Sequence, residues 1–270
     1  MAKKETTVSE KQIMADVKAG NVAPVYFITG EEGYYIDQLS DFFENDVVAP
    51  EYRDFDQTVV YGRDVTMSEI ILMAKRFPMM ADFQLVLVKE AQDIGVKENS
   101  KGQEKTWDLL ATYLENPSDR TILVLCYRNK KLDKRTKAYL AIKKAGVFYE
   151  RGKLRDDDVP TWISTFVRSH GRSITEKASL LLFEAMGNSL SKISNELEKI
   201  FIIVKEGQSI DDTAIERNVG ISKDYNVFEL QKAIGRRDVV KCNKIINYFS
   251  YNPKAWGQKP HVRRDVAPRY

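Results

Sequence analysis

The sequence predicts an α/β domain followed by an all-α region. Three observations carry that expectation. Up to about residue 150, apolar runs of strand length alternate with amphipathic stretches at helical spacing. The first apolar run ends in a glycine-bearing turn that leads into a helix, which is the opening unit of a nucleotide-binding α/β domain. After Gly152 the strand signals stop and only helical patterns continue.

In chain order, Ser9 and Gln12 stand at capping-box spacing and Gly20 supplies a stop, so a short helix is expected over 10–19. The first strand is expected over 24–29. It leads through Gly30-Glu31-Glu32-Gly33 into a helix over 34–48 with Tyr35, Leu39, Phe42 and Phe43 on its inner side. Strands follow over 56–61 and 84–88. A polar stretch over 92–103 precedes a helix around 107–114, and Pro117 and Ser118 make a turn. The run TILVLCY, 121–127, reads as the fourth and most buried strand. A basic run, 128–135, precedes a helix over 136–145 that stops at Gly146, and 147–149 makes a fifth strand.

The all-α region opens with a helix over 156–169 that has Pro160 in its first turn. Further helices are expected over 175–186, 189–205 and 211–218, the third helix of the region carrying Leu190, Ile193, Leu197, Ile200, Phe201 and Val204 at helical spacing. Two more follow over 227–234 and 238–249, separated by Gly235. Beyond Pro253 the chain has prolines, scattered charges and no apolar period. The boundaries drawn are 1–150 for the α/β domain, 151–221 for a small helical domain, 222–253 for a third helical element and 254–270 for an irregular tail.

Composition narrows the function classes. With 43% hydrophobic and 30% charged residues, the 270-residue chain fits a soluble globular protein, and its longest apolar runs are strand-sized rather than membrane-spanning. The start, MAKKETTVSE, has no apolar segment after its lysines, so it lacks the form of a secretory signal and the cytoplasm is the expected compartment. Cys126 and Cys242 lie far apart without a C-x-x-C spacing, which leaves both as reduced structural residues and argues against a zinc site. Only two histidines are present, and His170, just before Gly171, reads as a helix-end residue. The net charge of +3 is concentrated near the end of the chain, so no general nucleic-acid face is visible in its body.

The stretch 66–91, TMSEIILMAKRFPMMADFQLVLVKEA, is the most informative. Thr66 and Glu69 form a capping-box spacing, so a helix begins there. Ile70, Ile71, Met73, Ala74 and Phe77 give it an apolar face, and Pro78 is expected to end it at Phe77. Between this helix and the strand at 84–88 sit Met79 and Met80, two large flexible apolar side chains in a connection. Connections normally lie on the surface, so such a pair is either folded back into the core or offered to a partner.

The turn after the first strand argues against nucleotide. A phosphate cradle needs glycine-permitted backbone N–H groups, a Lys for the phosphates and a Ser or Thr for magnesium. This turn carries Glu31 and Glu32 and no Lys, and the third strand ends in Lys89-Glu90, with a cation where an ATPase would need the first of paired acids.

PVYFITGEEGYYID at 24–37, the helix–proline–apolar pair–strand unit at 66–91, and GNSLSKISNELEKI at 187–200 resemble the delta subunit of the bacterial DNA polymerase III clamp loader. The resemblance covers residues 22–253, about the first two thirds of such a subunit. It implies an AAA+-like parallel-sheet domain without a working phosphate loop, a helical lid domain and the opening of a helical collar that the tail does not continue. A truncated or frameshifted product, or a natural variant, would each explain that departure. The function implied is binding and opening of the sliding clamp during DNA replication. No cofactor and no intrinsic catalysis are implied, only membership of a nucleotidyltransferase holoenzyme.

Carried over by position, Met79 and Met80 would be the plug that enters the clamp, with Phe77 and Pro78 completing the clamp-binding set. Ile70, Met73, Phe77 and Phe83 are expected on the side of support more than of contact. The implied partners are the clamp, the ATPase subunits and delta prime of the loader, and DNA indirectly through that complex. Two alternatives stand beside this one: a nucleotide-dependent ATPase of the same fold, and a DNA-binding adaptor using Lys130, Lys131, Lys134 and Arg135 with the basic tail.

Overall fold

The computed structural model describes residues 8–95, 100–128, 132–219 and 227–251, with 100–105 described by backbone alone. These residues divide into two compact units between Lys153 and Leu154.

The first unit is built on the two most apolar stretches of the sequence. They form β1 (Val25–Gly30) and β4 (Thr121–Arg128), which pair in parallel with Val25 opposite Leu123 and Gly30 opposite Arg128. Strands buried on both faces read as continuous apolar runs rather than alternating ones, and both runs have that form. Around them stand β2 (Gln57–Tyr61), β3 (Gln84–Lys89) and β5 (Val147–Arg151), giving a five-stranded sheet in the order β2-β3-β4-β1-β5. Every neighbouring pair is parallel, so each connection must cross over the sheet, and helices make those crossings. The helices are α1 (Glu10–Lys18), α2 (Gly33–Asp46), the single turn α3 (Arg53–Asp56), α4 (Met67–Ala74), α5 (Ser100–Tyr113) and α6 (Lys137–Ala145).

Alternation along the strands assigns side chains to the two faces. Val25, Phe27, Val86, Val88, Leu123 and Leu125 pack with Met67 and Ile70 of α4, Leu110 of α5 and Ile142 of α6. Phe27 sits at the centre of this layer, its ring 6.0 Å from Trp107, 5.3 Å from Tyr127 and 5.5 Å from Phe148. On the other face Tyr26 meets Phe43 of α2 at 4.8 Å. Buried aromatic groups of this size dominate the energetics of a core.

The second unit contains α7 (Val159–Ser169), α8 (Glu176–Met186), α9 (Leu190–Ile203), α10 (Asp212–Val219), α11 (Val227–Gly235) and α12 (Val239–Tyr251). It also contains a parallel two-stranded ribbon, β6 (Ser173–Ile174) with β7 (Ser209–Ile210). Strand pairing therefore does not stop at Gly152. The ribbon is too short for any periodicity, and it is fixed instead by Arg172, which donates to the carbonyls of Phe201 and Val204 at the end of α9.

Several helix limits also differ from expectation, those of α5 and α4 with most effect on the site. The helix α5 begins at Ser100, inside the polar stretch, and α4 ends at Ala74 rather than at Phe77. Residues 96–99 and 220–226 and the tail from 252 onward, which hold part of that polar stretch and the boundaries drawn near 221 and 253, lie outside the described residues. Among the described residues no helix is long and apolar enough to cross a membrane.

Gly30 closes β1 at φ +147°, and a Cβ there would lie 2.0 Å from the carbonyl oxygen of Arg151. Both the backbone angle and the contact exclude a side chain. Gly30→Ala is expected to cost roughly 2 kcal/mol or more through backbone strain and the displaced β5 end. Denaturant unfolding beside the parent chain checks this, and an unchanged midpoint would contradict it.

Candidate functional site

Among the described residues of the α/β unit, the α4–β3 connection holds three large apolar side chains in solvent together. Phe77, Met79 and Met80 are 75%, 73% and 61% exposed, and Pro78 between them is half-buried. The structure thus brings all four residues of the expected clamp-binding set onto one connection. Whether a connection can hold that arrangement depends on where its backbone groups go, and here each end is accounted for.

The entry of α4 is fixed by its cap. Thr66 Oγ1 accepts from the Glu69 N–H at 3.3 Å, and the Glu69 carboxylate accepts from the Thr66 N–H at 2.7 Å. The backbone and hydroxyl donors of Thr66 hold the Glu69 carboxyl below the usual carboxylate range. Met67, Ile70 and Ala74 are buried under the helix, and Ile71 and Met73 are half-buried at its edge.

The exit of α4 is fixed by residues distant in sequence. The carbonyl of Ala74 accepts from Thr121 Oγ1 at 2.8 Å. The buried Gln84 amide donates to Thr121 Oγ1 at 2.7 Å and to the Arg76 carbonyl, and lies 3.3 Å from the Met73 carbonyl. The last carbonyls of the helix are therefore taken by β3 and β4 side chains, and the helix stops three residues before Pro78 could act on it. Phe77 would have faced inward only had the helix continued. Exposed on the connection, it does not support α4, contrary to the expectation from helical spacing. Ile70 is buried and Met73 and Phe83 are half-buried, which is a supporting position.

Past Pro78 the connection is held by one carboxylate. Asp56 is 3% exposed. Its Oδ1 accepts from the Met79 N–H at 2.5 Å, and its Oδ2 accepts from the N–H groups of Met80 and Ala81 at 2.7 Å each. Burial pushes the Asp56 carboxyl up, the three backbone donors push it down, and the net direction is down. A group with a lowered folded pKa contributes stability that is present above its ordinary value and lost as pH falls through the lowered one, so the connection is held at neutral pH. Each charge-assisted hydrogen bond contributes about 1.5–3 kcal/mol.

Asp56 is itself placed by α3 and the start of β2. Arg53 donates to the carbonyl of Asn45 in the last turn of α2 and to that of Val48 just beyond it, and Gln57 donates to the carbonyl of Glu44 in that same turn. None of Asp56, Gln84 and the outward Leu72, which is 65% exposed on α4, was singled out from the sequence. Leu72 carried a usable signal, since it is apolar but off the buried face of its helix. Asp56 and Gln84 look like ordinary polar residues at strand entries.

The β1–α2 turn has its phosphate-facing groups occupied. The N–H groups of Glu31 and Glu32 point at the Arg151 carbonyl, at 3.0 and 3.5 Å. The buried Glu32 carboxylate accepts from the Tyr34 N–H at 3.2 Å, where an α2-bound phosphate would sit. Burial pushes the Glu32 carboxyl up against the opposing effects of Tyr34 and Lys153. Arg128, at the end of β4, pairs with Asp37 of α2 and with Glu90. Lys89 pairs with Glu44 at 2.5 Å.

Of the basic run, Lys130 and Lys131 lie outside the described residues. Lys134 pairs with Glu150 at 2.9 Å, and Arg135 pairs with Asp133 at 2.8 Å and holds its carboxyl down at about 2. The buried Cys126 thiol is pushed up to about 12 by desolvation, which removes it as a nucleophile. Among the described residues no group of three or more His, Cys, Asp or Glu side chains is placed to hold a metal ion.

Residues 26–150 match the family described as DNA polymerase III, delta subunit. The DNA polymerase III subunit delta of Bacillus subtilis is 26% identical over 235 residues, covering 87% of this chain. The chain spans 65% of the length of that relative. A solved structure, the Bacillus subtilis DNA clamp loader delta protein, matches with a TM-score of 0.64 at 23% identity, over 90% of this chain and 72% of that one. That likeness carries the fold, a parallel-sheet domain followed by helices. The resemblance read from the sequence is thus met by pattern, by relative and by fold: residues 26–150 of this chain have the signature of the DNA polymerase III delta-subunit family.

Proposed function

We propose that this chain is the arm of a DNA polymerase III clamp loader that binds and opens the sliding clamp. The observation that carries this is the exposed Phe77-Pro78-Met79-Met80 turn on a backbone held from inside by Asp56 and Gln84. A soluble surface that exposes several large apolar groups in one connection is a partner surface, and methionine suits a pocket that must be filled without rigid shape. The likeness to delta proteins supports a sliding clamp as that partner. Burying the pair would supply about 1.5–3 kcal/mol per methionine. Opening follows if the surface contacted fits an opened clamp better than a closed one, because binding then shifts the ring toward the open state.

In this reading 1–150 binds the clamp, 151–221 is the lid and 222–253 begins the collar that meets the ATPase subunits and delta prime. DNA is reached through the assembled loader, and polymerisation belongs to the holoenzyme, in the cytoplasm. The ATPase alternative has its loop donors turned to Arg151 and its helix terminus filled by Glu32. Of the adaptor alternative's residues, Lys134 and Arg135 are paired with carboxylates of this same chain, while Lys130, Lys131 and the basic tail lie outside the described residues.

Two measurements follow. Because Met79 and Met80 are 73% and 61% exposed, changing both to Ala is expected to move stability by no more than about 0.5 kcal/mol, far from the roughly 2–5 kcal/mol of a core methionine. Clamp affinity should fall at least about tenfold for the pair, at 1.4 kcal/mol per decade. A large loss of stability with intact clamp affinity would return both side chains to the core. In the second, calorimetry of the chain with Mg-ATP is expected to show no binding, and micromolar affinity would restore the enzyme reading.

A further inference from the structure

We infer that Asp56 is the positioning residue of the apolar turn: its carboxylate fixes the backbone of residues 79–81, so that Met79 and Met80 stand out in one arrangement. The inference rests on the proposed clamp-binding role for what the turn is used for, and on geometry alone for how it is held. Asp56 reaches across 23 to 25 residues of sequence to accept three successive N–H groups, at 2.5, 2.7 and 2.7 Å. Those are the N–H groups of the two methionines, whose apolar side chains are exposed in the turn beside Phe77, and of the alanine that follows them. The carboxylate itself is buried, so the turn has a hydrogen-bonded floor and an apolar top.

The chemistry needs a carboxylate. Two oxygens with free lone pairs on both can serve three donors, whereas an amide offers one oxygen and turns N–H groups toward whichever loop donor is left. Met79 is taken by Oδ1 and the next two residues by Oδ2, so either orientation of an asparagine leaves at least one loop N–H facing a donor. The position of the carboxylate is set in turn by Arg53 and Gln57, which tie the segment around it to carbonyls at and just beyond the end of α2. Ordering that the turn would otherwise undergo on binding is thus completed in the free protein, which is where preorganisation raises affinity. Asp56 touches no partner in this account. It acts through the two methionines.

The test uses the full chain, its Asp56→Asn variant, Met79→Ala/Met80→Ala, and the triple change, with the sliding clamp purified from the same organism as probe. In the parent, the amides of 79–81 are expected to exchange slowly with solvent although their side chains are exposed, and fast exchange would overturn the inference without any variant. In Asp56→Asn, exchange at 79–81 should rise about tenfold or more while amides of β1 and β4 keep theirs. Clamp affinity should fall about tenfold in Asp56→Asn but not fall further when Asp56→Asn is added to the double alanine form, because positioning has nothing left to position. Additive losses, or unchanged exchange at 79–81, would show that Asp56 serves only general stability. If the parent does not bind the clamp at all, the functional reading fails, and the exchange arm still decides whether Asp56 holds the turn.

Discussion

The turn after α4 must satisfy two demands that ordinarily exclude each other. Its side chains are apolar and exposed, which favours collapse onto the core, yet its backbone must be held in one conformation. The hydrogen bonds from Met79, Met80 and Ala81 to Asp56 resolve this by spending the polar groups of the turn inward. Gln84 and Thr121 do the same for the last carbonyls of α4. With both ends anchored to the sheet, the apolar tops of the side chains are what remains for solvent or a partner.

The same device, used at the other end of β1, produces the opposite result. There the loop donors are spent on the Arg151 carbonyl and the helix terminus on Glu32, so the turn's backbone donors are satisfied within the chain. Arg128 adds a guanidinium paired with carboxylates of α2 and of the β3 exit. One sheet thus carries a closed site and an open surface. Both follow from which backbone groups the neighbouring strands take up.

Much of this was legible in the sequence, for reasons that are local. The Thr66–Glu69 box begins a helix because both partners lie within one turn, and QLVLV and TILVLCY read as strands because burial on two faces leaves no polar position. Glu31 and Glu32 marked the turn as unsuited to phosphate from their charge alone. What was not legible depends on pairs far apart in the chain. The helix end is set by Thr121, 47 residues away from Ala74, and the turn is held by Asp56, at least 23 residues away from its donors. Neither residue differs in type from its neighbours in a way that a pattern could pick out. The β6–β7 ribbon escaped for a different reason, since two residues cannot show a period.

The proposed function turns on contact between a sliding clamp and the side chains of Met79 and Met80. Methyl-labelled methionine spectra of the chain, recorded as the clamp is added, test it most directly, because Met67 is 1% exposed and serves as an internal reference in the same protein. The account predicts that the Met79 and Met80 methyl signals shift or broaden with clamp concentration while that of Met67 does not. Clamp binding with the Met79 and Met80 signals unmoved would contradict it.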